Sequence, residues 1–415
     1  MRVTRLALKN FRGVADVVLE FPEQVTVLAG INGSGKSTIL DALAMLLGRF
    51  SDSIRETSSK HHLARPADVR NGATDALMLI STTGPMGDLT WGLRIQRVLN
   101  RVTRRHQAEA MRKRARDLRL RLQEDPESPV PLAVLYRTNR AVLDIPLRIR
   151  KRHTFDQFSA FDDALAGGWS SFRLFFEWFR EREDIENQER ARARDFLDPQ
   201  LQAVRSAIAE LMPGFSDLRV QRLPLRMTVT KGDAELDLGQ LSDGEKCQLA
   251  MVADIARRLA LANPAADDPR TASAIVLIDE IELHLHPQWQ REVIPRLQRA
   301  FPNCQFIVST HSPQVLSSVH PESVYMLETD PAGVRAVQPA VSFGRHSNQI
   351  LVELMNTPDR PKQVRDRLDS MFRLIDQGDV AGACELRSEI ERDIGPDEPE
   401  LVRADIMLRL RKAGG

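Results

Sequence analysis

The sequence predicts an α/β fold in which three buried strands end at one sheet edge. Three stretches of the 415-residue chain predict it: "VTVLAGINGSGKSTILDALAMLLG", "TASAIVLIDEIELHLHPQWQ" and "CQFIVSTHSPQVL". Each opens on a short apolar run rich in β-branched residues and turns abruptly to small or polar ones, the pattern of a buried strand delivering side chains to its end.

In the first stretch, Val25 to Ala29 reads as a buried strand, then a tight glycine turn, then a helix from about Gly35. This is the context that the pattern G-x-x-x-x-G-K-[ST] requires. Across Gly30, Asn32, Gly33, Ser34 and Gly35 the backbone N–H groups can close around phosphate oxygens, and the following helix presents the positive end of its dipole. Lys36 is placed to reach the β and γ phosphates, Ser37 to offer its hydroxyl to Mg²⁺, and Thr38 completes the loop. A chance glycine turn would not come with the flanking strand and helix, so nucleoside triphosphate binding is expected.

The second stretch supplies a strand over Ala274 to Ile278 that ends in Asp279 and Glu280. A carboxylate at the end of a strand beside a phosphate loop is placed to hold Mg²⁺ through water, a role that falls to Asp279. Glu280, one residue on, can take a proton from attacking water. The bland alternative is a pair of acids that ends a strand and caps the next element. The third stretch repeats the design, with a strand over Gln305 to Ser309 bringing Thr310 and His311 to the same edge. There His311 is a candidate γ-phosphate contact rather than a surface histidine.

Further along, "LSDGEKCQLAMVADIARRLALA" is a turn opening an amphipathic helix, with Ser242 as N-cap and Asp243 and Glu245 in the first turn. Together with the phosphate loop, the Asp279–Glu280 strand and His311, this stretch resembles the signature motif of ABC-type ATPases, usually LSGGQ. Asp243 stands where that motif has glycine and Glu245 where it has Gln. The resemblance implies ATP as the nucleotide, with Mg²⁺, and two heads dimerised head to tail so that Ser242 and Gly244 of one complete the γ-phosphate site of the other. No Q-loop glutamine stands out beyond Gln96, after "LTWGLRI".

Residues 39–240 separate the two motifs, more than the compact insert of transporter subunits. "LALKNFRGVADVVLEF" and "DEIELHLHP" resemble RecF, SMC and OLD (overcoming-lysogenisation-defect) heads. After His311 there is no D-x-D pair of the kind that the Toprim nuclease domain of OLD proteins uses. "PLAVLYRTNRAV", "FFEWFREREDIENQERAR" and the ending "FGRHSNQILVELMNTPDRP" with its helical segments resemble the PtuA ATPases of Septu antiphage systems and of related retron systems. That resemblance implies an ATPase subunit in a homo-oligomer of head-to-tail dimers, regulating a separate HNH nuclease. Two rivals remain open: a DNA-repair head acting on DNA directly, and a slow nucleotide-sensing scaffold.

The expected division is an ATPase lobe over 1–97, a mainly helical insertion over 98–215, a second ATPase lobe over 216–345 and a helical tail over 346–415. In the tail, breaks at Gln377 to Asp379 and Gly395 to Pro399 mark a helical hairpin plus one more helix. In the insertion, the arginine-rich run from Arg101 to Gln123 reads as a basic helix with Ala108, Met111, Ala115, Leu118 and Leu122 on one face. Its arginines suit DNA or RNA phosphates, solvent or a docking partner alike. Phe175, Phe176, Trp178 and Phe179 read as core or subunit interface, "HHLARPADVRN" as loop, and His284 with His286 as interface packing rather than a metal pair lacking a third ligand.

Composition agrees with a globular chain. Hydrophobic residues make up 42% and charged residues 28%, enough to bury a core, and no apolar run approaches a membrane span. The start "MRVTRLALKNFRG" lacks the apolar segment of a signal peptide, so a cytoplasmic protein is expected. Cys247, Cys304 and Cys384 are scattered, with neither disulfide nor zinc spacing.

Overall fold

The computed structural model describes residues 1–57, 63–98, 101–138, 153–166, 172–331 and 333–413. The chain divides into two compact units, Met1–Arg345 and His346–Gly415.

In the first unit the elements run β1 (Arg2–Phe11), β2 (Val14–Glu20), β3 (Val25–Ala29), α1 (Lys36–Arg55), β4 (Asp75–Thr83), β5 (Leu89–Val98), β6 (Arg101–Gln107), α2 (Glu109–Glu124) and β7 (Leu132–Tyr136). They continue as α3 (Phe172–Arg190), α4 (Pro199–Leu211), β8 (Phe215–Arg222), β9 (Leu225–Lys231), β10 (Ala234–Asp237), α5 (Asp243–Ala262), β11 (Ala274–Ile278), α6 (Pro287–Ala300), β12 (Gln305–Thr310), α7 (Pro313–Ser317), β13 (Val324–Asp330) and β14 (Gly333–Val337).

The strands form three sheets, ordered β2-β1-β4-β5-β6, β10-β9-β8 and β14-β13-β3-β12-β11-β7. The third sheet positions the site. From β13 to β7 its strands are parallel, and β14 closes it antiparallel. Every residue of β3, β7, β11 and β12 is buried, as unbroken apolar runs require when both faces of a parallel sheet are covered. Register brings the strand ends level: Ile278 lies opposite both Val308 and Tyr136, and Thr310 opposite Ala29.

One face of that sheet and the antiparallel sheet of β1, β4 and β5 share a core with α1. Ile39, Leu43, Leu46 and Phe50 are buried there with Leu8, Ile80, Trp91, Ile275 and Ile307. Trp91 also donates its indole N–H to the Leu46 carbonyl at 3.0 Å, so the ring packs without orphaning its polar atom.

The stretch read as one basic helix from Arg101 is two elements. Arg101–Gln107 is the edge strand β6, paired antiparallel with β5, and the helix starts only at Glu109. Ala108, Met111, Ala115 and Leu118 are buried as the spacing predicts, whereas Leu122 is only half-buried. Besides its helices, 98–215 supplies two strands, β6 and β7, and β7 pairs with β11. Phe175, Phe176, Trp178 and Phe179 are all buried on α3. Of "HHLARPADVRN", His61 and His62 lie outside the described residues, as do Asn139 to Val142, and Pro66–Asp68 forms a single 3-10 turn.

The second unit holds α8 (Ser347–Gln349) and a short π-helical turn after it, then α9 (Lys362–Gln377), α10 (Val380–Ile394) and α11 (Pro399–Ala413). Gly378 ends α9 with φ 81°, a left-handed cap that glycine adopts without strain. Leu368, Met371, Ile375, Ala383, Ile390, Leu401, Ala404 and Leu408 form its own small core. Arg387 grips Asp405 at 2.6 Å, tying α10 to α11.

Candidate functional site

The phosphate loop runs from the end of β3 into α1. Gly30, Gly33 and Gly35 all have positive φ, at 145°, 81° and 99°. At Gly30 a side chain is excluded outright, because a Cβ would sit 2.5 Å from the Leu327 carbonyl of β13 and 2.7 Å from Ser34 Oγ. The loop curls back on itself. Lys36, only 5% exposed, donates to the carbonyls of Gly30 and Ile31, each at 2.9 Å. Burial lowers its pKa, against the opposing pull of Asp279, Glu280 and Glu282, which marks three carboxylates facing the loop. Asn32 and Gly33 are exposed at the tip, Ser34 is buried, and Ser37 and Thr38 follow Lys36 in the first turn of α1.

Ser37 and Asp279, 242 residues apart, meet directly: the Ser37 hydroxyl donates to the Asp279 carboxylate at 2.9 Å. The other carboxylate oxygen accepts from Ser309 Oγ, and the Asp279 N–H donates to the Tyr136 carbonyl at 2.8 Å. A hydroxyl and a carboxylate side by side are hard oxygen donors of the kind Mg²⁺ takes alongside phosphates, so the pair fits that ion. Glu280 follows in a left-handed conformation, φ 50°, with its N–H donating to Ser309 Oγ at 2.8 Å. Such a backbone is uncommon for a non-glycine residue and persists only where its surroundings enforce it.

His311 lies just past β12, partly buried. Its N–H donates to the Glu282 carboxylate. Burial and then Lys36 push its pKa down, partly opposed by Glu282, Glu280 and Asp279. Ser309 and Glu282, which fix Asp279, Glu280 and His311, were not singled out in the sequence. A serine near the end of the otherwise apolar "QFIVST" was the available signal for the first.

The signature turn opens α5. Ser242 is exposed and caps the helix: its hydroxyl donates to Glu245 at 2.8 Å and accepts the Glu245 N–H at 3.4 Å. Lys231 holds the other oxygen of Glu245 at 2.6 Å. Burial raises that carboxyl, but the bonds to Lys231 and Ser242 outweigh it and leave its pKa below the ordinary value. Gly244 has a reason of its own to be glycine, since a Cβ there would lie 2.3 Å from the His284 carbonyl. Thus the signature turn rests on the segment just after Glu280. His284 supplies that contact from a left-handed backbone, φ 63°, and the His286 ring caps α6 by accepting the Gln288 N–H at 3.3 Å. Among the described residues no group of three or more His, Cys, Asp or Glu could hold a metal ion. Gln96 sits on β5 between Asp75 and Thr103, in a different sheet from the phosphate loop.

This close approach makes a prediction. Gly244→Ala drives a methyl into backbone, and overpacking of this kind costs about 1–3 kcal/mol. A lower denaturation midpoint is expected, whereas a variant as stable as the parent would contradict the contact.

Residues 25–317 match the family described as AAA domain, putative AbiEii toxin, type IV TA system. The chain is 30% identical to the Retron Ec83 probable ATPase of Escherichia coli, over 99% of this chain and 87% of that protein. It is 27% identical to the Retron Vc95 probable ATPase of Vibrio cholerae serotype O1 biovar El Tor, over 87% of this chain and 80% of the other. A shorter match, 40% identical, covers 22% of this chain and 13% of the Septu protein PtuA of Bacillus mycoides (strain KBAB4). Among solved structures, the Smc head domain with an extended coiled coil bound to the C-terminal domain of ScpA, derived from Pyrococcus furiosus, aligns with TM-score 0.51. It is 18% identical, covering 81% of this chain and 96% of that one, and so speaks to the fold alone. With a phosphate loop, a strand-end carboxylate and a capped signature turn on such a fold, the chain belongs to this AAA-domain family, as an ABC-type ATPase related to those of retron and Septu systems.

Proposed function

We propose that this chain is the ATP-hydrolysing subunit of an antiphage defence complex, dimerised head to tail and controlling a separate HNH nuclease through its nucleotide state. The observation that carries the ATPase chemistry is the 2.9 Å contact between Ser37 and Asp279, which closes the phosphate loop against the strand-end carboxylate. The retron and Septu relatives support the setting.

In this reading the loop N–H groups from Gly30 to Thr38 cradle the phosphates, and Lys36 swaps its two carbonyl partners for β and γ oxygens. Ser37 and Asp279 would hold Mg²⁺, which when bound neutralises developing phosphate charge. Glu280, its backbone pinned by Ser309, takes the proton of the attacking water, and the His311 imidazole contacts the γ-phosphate. Ser242 and Gly244 serve the partner's nucleotide. Exposure of Ser242, whose own-chain partner is the neighbouring Glu245, supports that assignment.

One observation favours a second reading, a head that contacts nucleic acid itself: Arg112, Lys113 and Arg116 are all exposed on α2.

Lys36→Ala is expected to abolish ATP binding by calorimetry, because no other loop side chain brings a cation to the phosphates. Glu280→Gln should keep ATP bound and slow hydrolysis by about 10²–10⁴-fold, the contribution of a positioned base. Unchanged affinity in the first or unchanged turnover in the second would remove that residue from the mechanism. The purified chain alone, given Mg²⁺ or Mn²⁺, should cut neither DNA nor RNA, and its ATPase should not respond to DNA. DNA-stimulated turnover without a partner would select the second reading, and cleavage abolished by mutating this chain's own carboxylates would overturn the division of labour.

A further inference from the structure

The signature helix α5 is buried and apolar along most of its length, yet its middle carries Asp254, Arg257 and Arg258, exposed by only 5%, 1% and 2%. Asp254 is where they meet. Its Oδ1 accepts from Arg257 at 2.8 Å, and its Oδ2 from Arg258 Nε at 2.7 Å and from the Tyr136 hydroxyl at 2.9 Å. Burial pushes this carboxyl up, but the two guanidinium groups outweigh burial and hold it at about 2. Apolar residues in place of a buried ionic cluster are often as stable, so stability alone does not account for one here.

One side of the cluster leads to the nucleotide site of the same chain and the other to the far end of the helix that follows the phosphate loop. Tyr136 is the last residue of β7, and its carbonyl accepts the Asp279 N–H at 2.8 Å. Arg258 donates to the carbonyls of Ala160 and Asp162 at 2.6 and 3.0 Å. The Asp162 carboxylate in turn pairs with Arg55 at 2.7 Å, at the end of the helix that Lys36 begins. The helix capped by Ser242 is therefore bonded through Asp254 and Tyr136 to the strand end carrying Asp279, and through Arg258 and Asp162 to the far end of α1.

We infer that Asp254 and Tyr136 are positioning residues that couple a chain's own nucleotide site to the signature turn it offers its partner. The inference rests on the head-to-tail reading above. Directional bonds between buried groups transmit a displacement of β11 or α1 that looser contacts would absorb, and they give the two composite sites a coupling free energy.

Tyr136→Phe is the sharpest variant, because it removes one hydroxyl and keeps the ring. Asp254→Asn is harsher, leaving two buried guanidinium groups opposite a neutral amide. Hydrogen exchange is followed with and without ATP in a Ser242→Arg chain, where the partner's site is blocked and only coupling within the chain remains. ATP should slow exchange across residues 243–262 in that chain, and Tyr136→Phe should remove this effect while exchange at the phosphate loop still responds. Equal protection in both chains, or none across 243–262 in either, overturns the inference. In an otherwise unaltered background, Tyr136→Phe should keep ATP affinity by calorimetry but lose about five-fold or more in turnover, with the Hill coefficient falling toward one. Loss of protection with an unchanged Hill coefficient would uphold the link within the chain and overturn the head-to-tail reading instead.

Discussion

Asp279 is held from three sides: its amide by the carbonyl at the end of β7, one carboxylate oxygen by Ser309 at the end of β12, and the other by Ser37 at the start of α1. The rest of the site depends on that convergence. A one-residue slip of β11 against either neighbour would turn Asp279 to the opposite face and bring Ile278 to the loop. The unbroken apolar runs of the parallel strands resist such a slip only weakly by themselves, since both faces are buried. Register is set instead where polar atoms must be satisfied, at the strand ends. With Lys36 as the cation facing Asp279, Glu280 and Glu282, the edge of the sheet carries a fixed pattern of opposite charges.

The signature turn does two jobs with few residues. Its serine and glutamate satisfy each other as a capping box, with Lys231 holding the glutamate, so the exposed Ser242 hydroxyl is presented on a fixed frame. Its glycine admits the His284 carbonyl. The turn is thereby seated on the segment just past Glu280 in the same chain, while α5 is bonded lower down to Tyr136. The turn and its helix are thereby tied at two points to the elements that carry Asp279 and Glu280.

Much of this was legible in the sequence. The strands Val25–Ala29 and Ala274–Ile278 were readable because short apolar runs ended sharply in glycine or acid, and Ser242 because a cap residue with an acid three positions on announces a helix start. The breaks in the tail were readable from glycine and proline in the same way. Arg101–Gln107 was not: its arginines continue those of α2 without a break in composition, and only pairing with β5 makes it a strand. β7 was hidden for a related reason, being five apolar residues whose place in the sheet is set by contacts distant in sequence. The ionic cluster on α5 escaped because two arginines on a helix ordinarily face water, and burial is decided by the side chains that pack around them.

The central claim is that a nucleotide site is shared between two chains, each giving the other its signature turn. It is tested most directly by mixing two inactive variants, Lys36→Ala and Ser242→Arg. In a mixed dimer one composite site carries both lesions and the other carries neither, because each site draws its phosphate loop and its signature turn from different chains. The account predicts that ATPase activity returns in the mixture when neither variant is active alone. If each variant instead keeps activity in proportion to its own intact motif and mixing adds nothing, Ser242 acts within its own chain and the account is contradicted.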